Sequence, residues 1–410
     1  MIQRHLAACV AEALADNPVV LLHGARQTGK STLVQWLAAG THPAQYLTLD
    51  DASVLAAAAG DPVGFIAGLQ GPVALDEVQR VPGLFPAIKA AVDRDRRPGR
   101  FLLTGSADVL LVPRMATSLV GRVEILTLWP FSQGELAGRR EGFVDALFAD
   151  ELPAPRGPEE AEEQLWAQIV RGGYPEAWRR ESPQRRRAWF SSYVTTILHR
   201  DVRDLSHIEG WAALPRLLQL IAARATTLLN AAELSRSSGL PQGTLKRYLA
   251  LLEATFLVQT LPAWSSNLGK RLVRSRKLLL SDTGLAAQLL GVGDGRAAAQ
   301  SVSRGLLLED FVIMEVRKQV AWSQGQPQLF HFRTHAGREV DLVLENAGGQ
   351  VVGVEVKAAQ TIRGSDFAGL RALAEQAGER WRRGVVLYTG REWIPFGENL
   401  HAAPVSALWS

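Results

Sequence analysis

The stretch Gly24-Ala25-Arg26-Gln27-Thr28-Gly29-Lys30-Ser31 constrains this chain more than any other. It fits G-x-x-x-x-G-K-[ST], the phosphate-binding pattern known as Walker A. Upstream, residues 18–23 (PVVLLH) form an apolar run of strand length; downstream, residues 32–37 (TLVQWL) have helical spacing. Strand, glycine loop and helix in that order is what phosphate binding requires. Gly24 and Gly29 let the backbone turn without a Cβ clash, so that a row of N–H groups faces phosphate oxygens. The helix N-terminus adds partial positive charge. Lys30 would reach the terminal phosphates, and the Ser31 hydroxyl would ligate Mg²⁺. Gly24, Ala25, Arg26, Gln27, Thr28, Gly29, Lys30, Ser31 and Thr32 are therefore the expected nucleotide-binding set, and a nucleoside triphosphate the expected ligand.

Four further strands are predicted in the first 130 residues. Residues 46–49 are one. Residues 73–77 (VALDE) are another, apolar and ending in two acids, the Walker B pattern. Asp76 would hold the Mg²⁺ shell and Glu77 would polarise the attacking water. Residues 101–103 (FLL) end in Thr104-Gly105-Ser106, where Thr104 or Ser106 would orient that water or else cap a helix. Residues 124–128 follow Gly121-Arg122, and Arg122 is placed to act as an arginine finger or to make a plain surface ion pair. Lys30, Glu77, Thr104 and Arg122 are thus the catalytic candidates. Five strands alternating with helices predict an α/β fold with a parallel sheet, its ligands beyond the carboxyl ends of the strands.

Length and composition set the frame for the rest. With 410 residues, two or three domains are expected, and 47% apolar with 21% charged residues suits a soluble globular chain. The net charge of +4 permits nucleic acid binding without demonstrating it. Cys9 is the sole cysteine, which excludes an internal disulfide and suits a reducing compartment. Residues 2–15 read as a helix with no signal-peptide pattern, and no run of about 18 apolar residues appears. No membrane association and a cytoplasmic location are expected.

Residues 138–163 read as a loop or linker, followed by helices at 163–170 and 184–205. Between them Arg171-Gly172-Gly173-Tyr174-Pro175-Glu176 reads as a turn. Residues 230–235 open a helix, Ser238-Gly239-Leu240-Pro241 makes a turn, and residues 242–254 (QGTLKRYLALLEA) form a second, amphipathic helix. Helix, glycine turn, helix is a helix-turn-helix order, with residues 256–261 as a wing strand. It puts Thr244, Lys246 and Arg247 where a recognition helix meets DNA. The same unit can serve protein packing instead. The run Lys270-Arg271-Leu272-Val273-Arg274-Ser275-Arg276-Lys277 strengthens the nucleic acid reading or is a solvated face; Lys270, Arg271 and Arg274 are its DNA-binding candidates.

In the last 110 residues a helix is predicted from Gly305 to about Gln319, then strands at 329–333, 339–344 and 351–357. Strand side chains alternate faces, so Glu355 and Lys357 share one, and Asp341 on the neighbouring strand can meet them there. Two carboxylates holding Mg²⁺ beside a lysine make a phosphodiesterase centre, to which Glu309 on the preceding helix would add a ligand. Glu309, Asp341 and Glu355 are the metal candidates and Lys357 the catalytic one. A charged hairpin without catalysis is the other reading.

The stretches GARQTGKST, ALDEVQR, LLTGSAD and SLVGRVEILTLWPFSQGEL resemble the AAA+ ATPases, in particular the prokaryotic family with a helical middle and a C-terminal domain of unknown function. H-F-R…R-E-V-D…V-E-V-K resembles the PD-(D/E)xK nuclease fold. The resemblance implies ATP as the nucleotide, although no base-reading motif distinguishes it from GTP. It also implies a ring-forming homo-oligomer, such as a hexamer, in which Arg122 serves a neighbour's site. Arg171 matches a recurrent turn of the same family and would face nucleotide as a lid residue. The expected domains are an ATPase core at 1–130, a linker and helical lid at 131–229, a winged-helix-like domain at 230–300 and a nuclease-like domain at 301–410. The expected function is Mg²⁺-dependent ATP hydrolysis coupled to DNA, with a metal-dependent nuclease domain. The alternative is an ATP-dependent switch that binds a protein partner, its nuclease-like domain inert.

Overall fold

The computed structural model describes residues 2–106, 119–151, 162–201, 211–267, 269, 271 and 275–410. The chain divides into two compact units. The first runs to Phe131 and takes in short later stretches that include His199 and Ala254–Phe256; the second holds the rest, from Ser132 to Ser410.

The first unit is built on β1 (Val19–Gly24), β2 (Gln45–Thr48), β3 (Val73–Asp76), β4 (Phe101–Ser106) and β5 (Val123–Thr127). They form one sheet in the order β2-β3-β4-β1-β5, with every pairing parallel. β1, β3 and β4 are buried along their length, which is why they read as continuous apolar runs rather than alternating ones. On one face Leu21, Leu75 and Leu103 pack with Phe85, Ile88 and Val92 of the helix Leu84–Arg94. Each such side chain stabilises the unit by about 1.5–3 kcal/mol on burial. The helix Lys30–Ala39 lies against β1, β3 and β4. The N-terminal helix spans Leu6–Asp16, starting later than the predicted residues 2–15.

In the second unit, the region read as a linker contains the helix Phe143–Phe148, which buries Phe143, Val144 and Leu147. The predicted helices appear as Glu162–Arg171 and Pro183–Thr196, the latter continued by a π-helical turn, Ile197–Asp201. Next come the helices Leu214–Ala222, Ala231–Ser238 and Gln242–Ala254. Asn230 caps the second of these and Gly239, at φ +74°, ends it. β6 (Val258–Leu261) and β7 (Lys277–Leu280) then pair antiparallel. After β7 the chain enters the helix Thr283–Leu290, capped by Asp282.

The helix Arg304–Val320 leads into a six-stranded mixed sheet. Its strands are β8 (Gln328–Arg333), β9 (Glu339–Glu345), β10 (Val351–Lys357), β11 (Trp381–Tyr388), β12 (Ile394–Gly397) and β13 (Leu400–Pro404). The order is β12-β13-β11-β10-β9-β8. The helix Ala368–Ala377 covers β9 and β10, and only glycine fits at 369, where a Cβ would lie 1.8 Å from the Glu339 carbonyl oxygen. Among the described residues no helix is long and apolar enough to cross a membrane.

Candidate active site

The carboxyl ends of β1, β3 and β4 bring the sequence-predicted residues of the first unit together. β1 leaves the middle of the sheet into the glycine loop, in register with β4: Leu22 lies beside Thr104 and Gly24 beside Ser106. At Gly24 (φ +148°) a Cβ would sit 2.3 Å from the Leu128 carbonyl oxygen, so no other residue fits. Gly29, at φ +94°, starts the helix Lys30–Ala39 in the left-handed region. Within the loop, Thr28 Oγ1 donates to the Ala25 carbonyl (3.0 Å) and Lys30 Nζ donates to the carbonyls of Gly24 (3.1 Å) and Ala25 (2.8 Å). Arg4 also holds the loop, through the Thr28 carbonyl at 2.8 Å.

Asp76, at the end of β3, is buried and accepts hydrogen bonds from three hydroxyls: Ser31 (3.1 Å), Tyr46 (2.8 Å) and Thr104. Among the described residues it makes no ion pair. Burial and then the hydrogen bond to Asp76 push the Tyr46 hydroxyl up to about 12, so it stays a donor at neutral pH. His23, beside Thr127 at 2.8 Å, is lowered to about 4 by burial and by the charge on Lys30, and is neutral. Glu77 adopts φ +59°, a left-handed conformation that costs a non-glycine residue about 1–2 kcal/mol. Its Oε2 accepts from Gln79 and from Ser106 (3.2 Å), and Gln79 also donates to Ser106 (2.8 Å).

Thr104, expected to orient water or cap a helix, is tied to the acid pair. It is fully buried, donates to Asp76 and accepts from the Glu77 amide at 3.1 Å, because its strand lies between β3 and β1. Arg122 pairs with Asp93 at 2.5 Å and donates to the Val120 carbonyl. Sequence reasoning missed Arg4, Tyr46 and Gln79. Only Gln79 carried a local signal, two residues after Glu77; the other two reach the site from elements distant in sequence.

The second unit was expected to hold a metal centre, and there the structure corrects the sequence reading. Glu309, Asp341, Glu355 and Lys357 do converge, with Glu355 and Lys357 paired at 2.6 Å. Lys277, counted in the sequence among a solvent-facing basic run, is buried between the carboxylates instead. Its ammonium lies 2.6 Å from Glu309 Oε1 and 3.3 Å from Asp341 Oδ1. Burial opposes the Lys277 charge, but Glu309 and Asp341 outweigh it and hold the ammonium above the ordinary lysine range. Burial and the Asp341 charge push both Glu309 and Glu355 well above the usual carboxylate range. Among the described residues no group of three or more histidine, cysteine, aspartate or glutamate side chains is arranged to hold a metal ion. The residues do not fit Mg²⁺ in this arrangement, because an ammonium already fills the place between the acids.

Arg271 is a second correction. It is tied to Glu345 at 2.7 Å and lies over the rings of Phe330 and Trp264, so it faces the interior rather than DNA. Lys270 and Arg274 lie outside the described residues. Lys246 and Arg247 are exposed on the helix Gln242–Ala254 and Thr244 is half-buried beside them, while Leu245, Tyr248, Leu249 and Leu252 face inward. Arg171 donates to the Trp178 carbonyl and stacks on the Trp178 ring; it lines a cavity of about 480 Å³ together with Gln133, Arg186 and Trp409.

Three family models match: an AAA domain over residues 16–137, and two domains of unknown function, DUF8612 over 162–296 and DUF4143 over 304–408. The uncharacterized protein Mb2031c of Mycobacterium bovis and the uncharacterized protein Rv2008c of Mycobacterium tuberculosis are each 33% identical to the chain over 407 residues, 99% of this chain and 84% of theirs. A solved structure of a Thermotoga maritima RuvB point variant aligns over 62% of this chain and 86% of its own, with a TM-score of 0.30 at 18% identity. The chain belongs to the family of these two mycobacterial proteins, and its N-terminal unit is an AAA-type P-loop ATPase domain.

Proposed function

We propose that the chain is a Mg²⁺-dependent ATPase whose hydrolysis is coupled to the binding or processing of DNA. The convergence of Ser31, Asp76 and Glu77 on the loop that carries Lys30 supports this best. The donor set suits Mg²⁺, a hard cation that takes oxygen ligands: the Ser31 hydroxyl and the Asp76 carboxylate lie 3.1 Å apart, and no cation pairs with Asp76 among the described residues. Bound there with ATP, the ion would neutralise charge developing on the phosphates. Lys30 supplies a second positive charge to the transferred phosphoryl group. Glu77, held by Gln79 and Ser106, takes the proton of the attacking water. Thr104 acts as a positioning residue that fixes the Asp76 carboxylate and the Glu77 backbone. In a homo-oligomeric ring, Arg122 exchanges Asp93 for the phosphates of a neighbour's nucleotide.

The DNA side of the reading is supported by the helix Gln242–Ala254. With the preceding helix, the turn at Gly239 and the β6–β7 ribbon it makes a winged-helix order, and its exposed Lys246 and Arg247 suit phosphate contacts. Phosphate release from ATP and Mg²⁺, measured with and without single-stranded, duplex and branched DNA, tests it. Stimulation by one form is expected. Lys246→Glu with Arg247→Glu should abolish the stimulation and reduce the salt dependence of binding by about two phosphate contacts. A rate indifferent to every DNA form, with no salt-sensitive binding, would move the assignment to an ATP-dependent switch for a protein partner. The inward ion pairs of Arg271 and Lys277 favour that second reading, since they remove two cations from the expected DNA face.

A further inference from the structure

We propose that Lys277 is the built-in cation of the C-terminal carboxylate centre, so that the wild-type centre excludes divalent metal and cleaves no phosphodiester. The inference is independent of what the ATPase acts on. It rests first on position. Lys277 opens β7, where its backbone pairs with Leu261 on β6 and bridges to Leu228, so both neighbouring segments fix it. From there the side chain enters the centre, with 3% of the residue exposed, and its ammonium contacts Glu309 and Asp341 at 2.6 and 3.3 Å.

The second observation is how the carboxylate oxygens are used. Mg²⁺ demands near-octahedral oxygen ligands at about 2.0–2.1 Å. Asp341 spends Oδ1 on Lys277 and Oδ2 on the Val356 amide at 2.9 Å, and Glu355 spends Oε1 on Lys357. A divalent ion on Glu309 Oε1 and Asp341 Oδ1 would compete for the oxygens that hold Lys277, placing two cations a few ångströms apart, where like charges in a buried site repel strongly.

The third observation marks the centre as a ligand site rather than a surface cluster. Glu355 is 8% exposed, and among the described residues its Oε2 has no hydrogen-bond partner. One buried carboxylate oxygen is thus left for a ligand that the ammonium, engaged elsewhere, does not supply. Removing the ammonium would leave Glu309 Oε1 and Asp341 Oδ1 without their cation, and the vacated place is where a divalent ion would enter.

The test is Mn²⁺ binding to the nucleotide-free full-length protein, followed by electron paramagnetic resonance and calorimetry. Wild type and Glu355→Gln should bind Mn²⁺ alike, because the centre takes none. Lys277→Ala should gain a single Mn²⁺ equivalent that is lost again in the Lys277→Ala/Glu355→Gln double variant, with circular dichroism showing each to be folded. Binding of Mn²⁺ by wild type at a site that Glu355→Gln removes, or Mn²⁺-dependent DNA cleavage lost in that variant, would overturn the proposal. A folded Lys277→Ala protein that gains no ion would overturn it equally. If Lys277→Ala does not fold, the comparison of wild type with Glu355→Gln decides alone.

Discussion

Both units hold a buried acid near a lysine, and the two centres are built in opposite ways. At the P-loop, Lys30 is held by the carbonyls of Gly24 and Ala25, and Asp76 is surrounded by the hydroxyls of Ser31, Tyr46 and Thr104. Hydroxyls hold the Asp76 carboxylate, which makes no ion pair among the described residues, and in the proposed mechanism that carboxylate is the one left for the metal. In the C-terminal centre the ammonium of Lys277 sits directly on Glu309 and Asp341. There the charges satisfy each other. A motif of acid and lysine therefore does not specify a working site; what holds each charge does.

The comparison predicts that removing the lysine harms different properties in the two places. Lys277→Met should give the largest effect, a loss of about 3–5 kcal/mol in stability, because it strands buried carboxylates. ATP turnover per folded molecule should stay near wild type. Chemical denaturation together with phosphate release measures both, and a variant of unchanged stability would break the comparison. Lys30→Ala should do the reverse, cutting turnover about 10²–10³-fold while leaving stability near that of wild type. If its turnover were normal, the assignment of the loop as the working centre would fall.

The smallest effect concerns pH. Glu309 and Glu355 are raised in the folded chain, so the native state binds more protons than the unfolded state above the ordinary glutamate value of about 4.3. The stability they contribute is present at low pH and is lost as pH rises through their folded values toward and past neutrality. Glu355→Gln should flatten that decline in a denaturation series. A slope unchanged by the substitution would show that the centre is more open to water than its burial indicates.

Much of this was legible in the chain itself. The P-loop, the acid pair at 76–77 and the five strands of the first unit follow from local rules: glycines at fixed offsets, apolar runs of strand length and acids at strand ends. β9, β10 and the alternation that puts Glu355 beside Lys357 follow from the two-residue period of a strand. The helix Phe143–Phe148 was hidden in a Gly- and Pro-rich stretch because it is short and owes its stability to burial. β11 and β13 carried no motif, and their pairing with β10 is decided by the sheet.

What the sequence determined by itself is therefore the class of the first unit and its family, because a phosphate-binding loop is local backbone geometry written in consecutive residues. What only the tertiary structure decided is which charges face which. Tyr46 and Arg4 join the P-loop site from other elements. Thr104 meets Asp76 because β4 lies beside β3. Lys277 and Arg271, neighbours in a run that reads as a basic surface, point into the fold and meet acids more than sixty residues away. Charge pairing acts through space at a few ångströms, and spacing along the chain does not carry that distance.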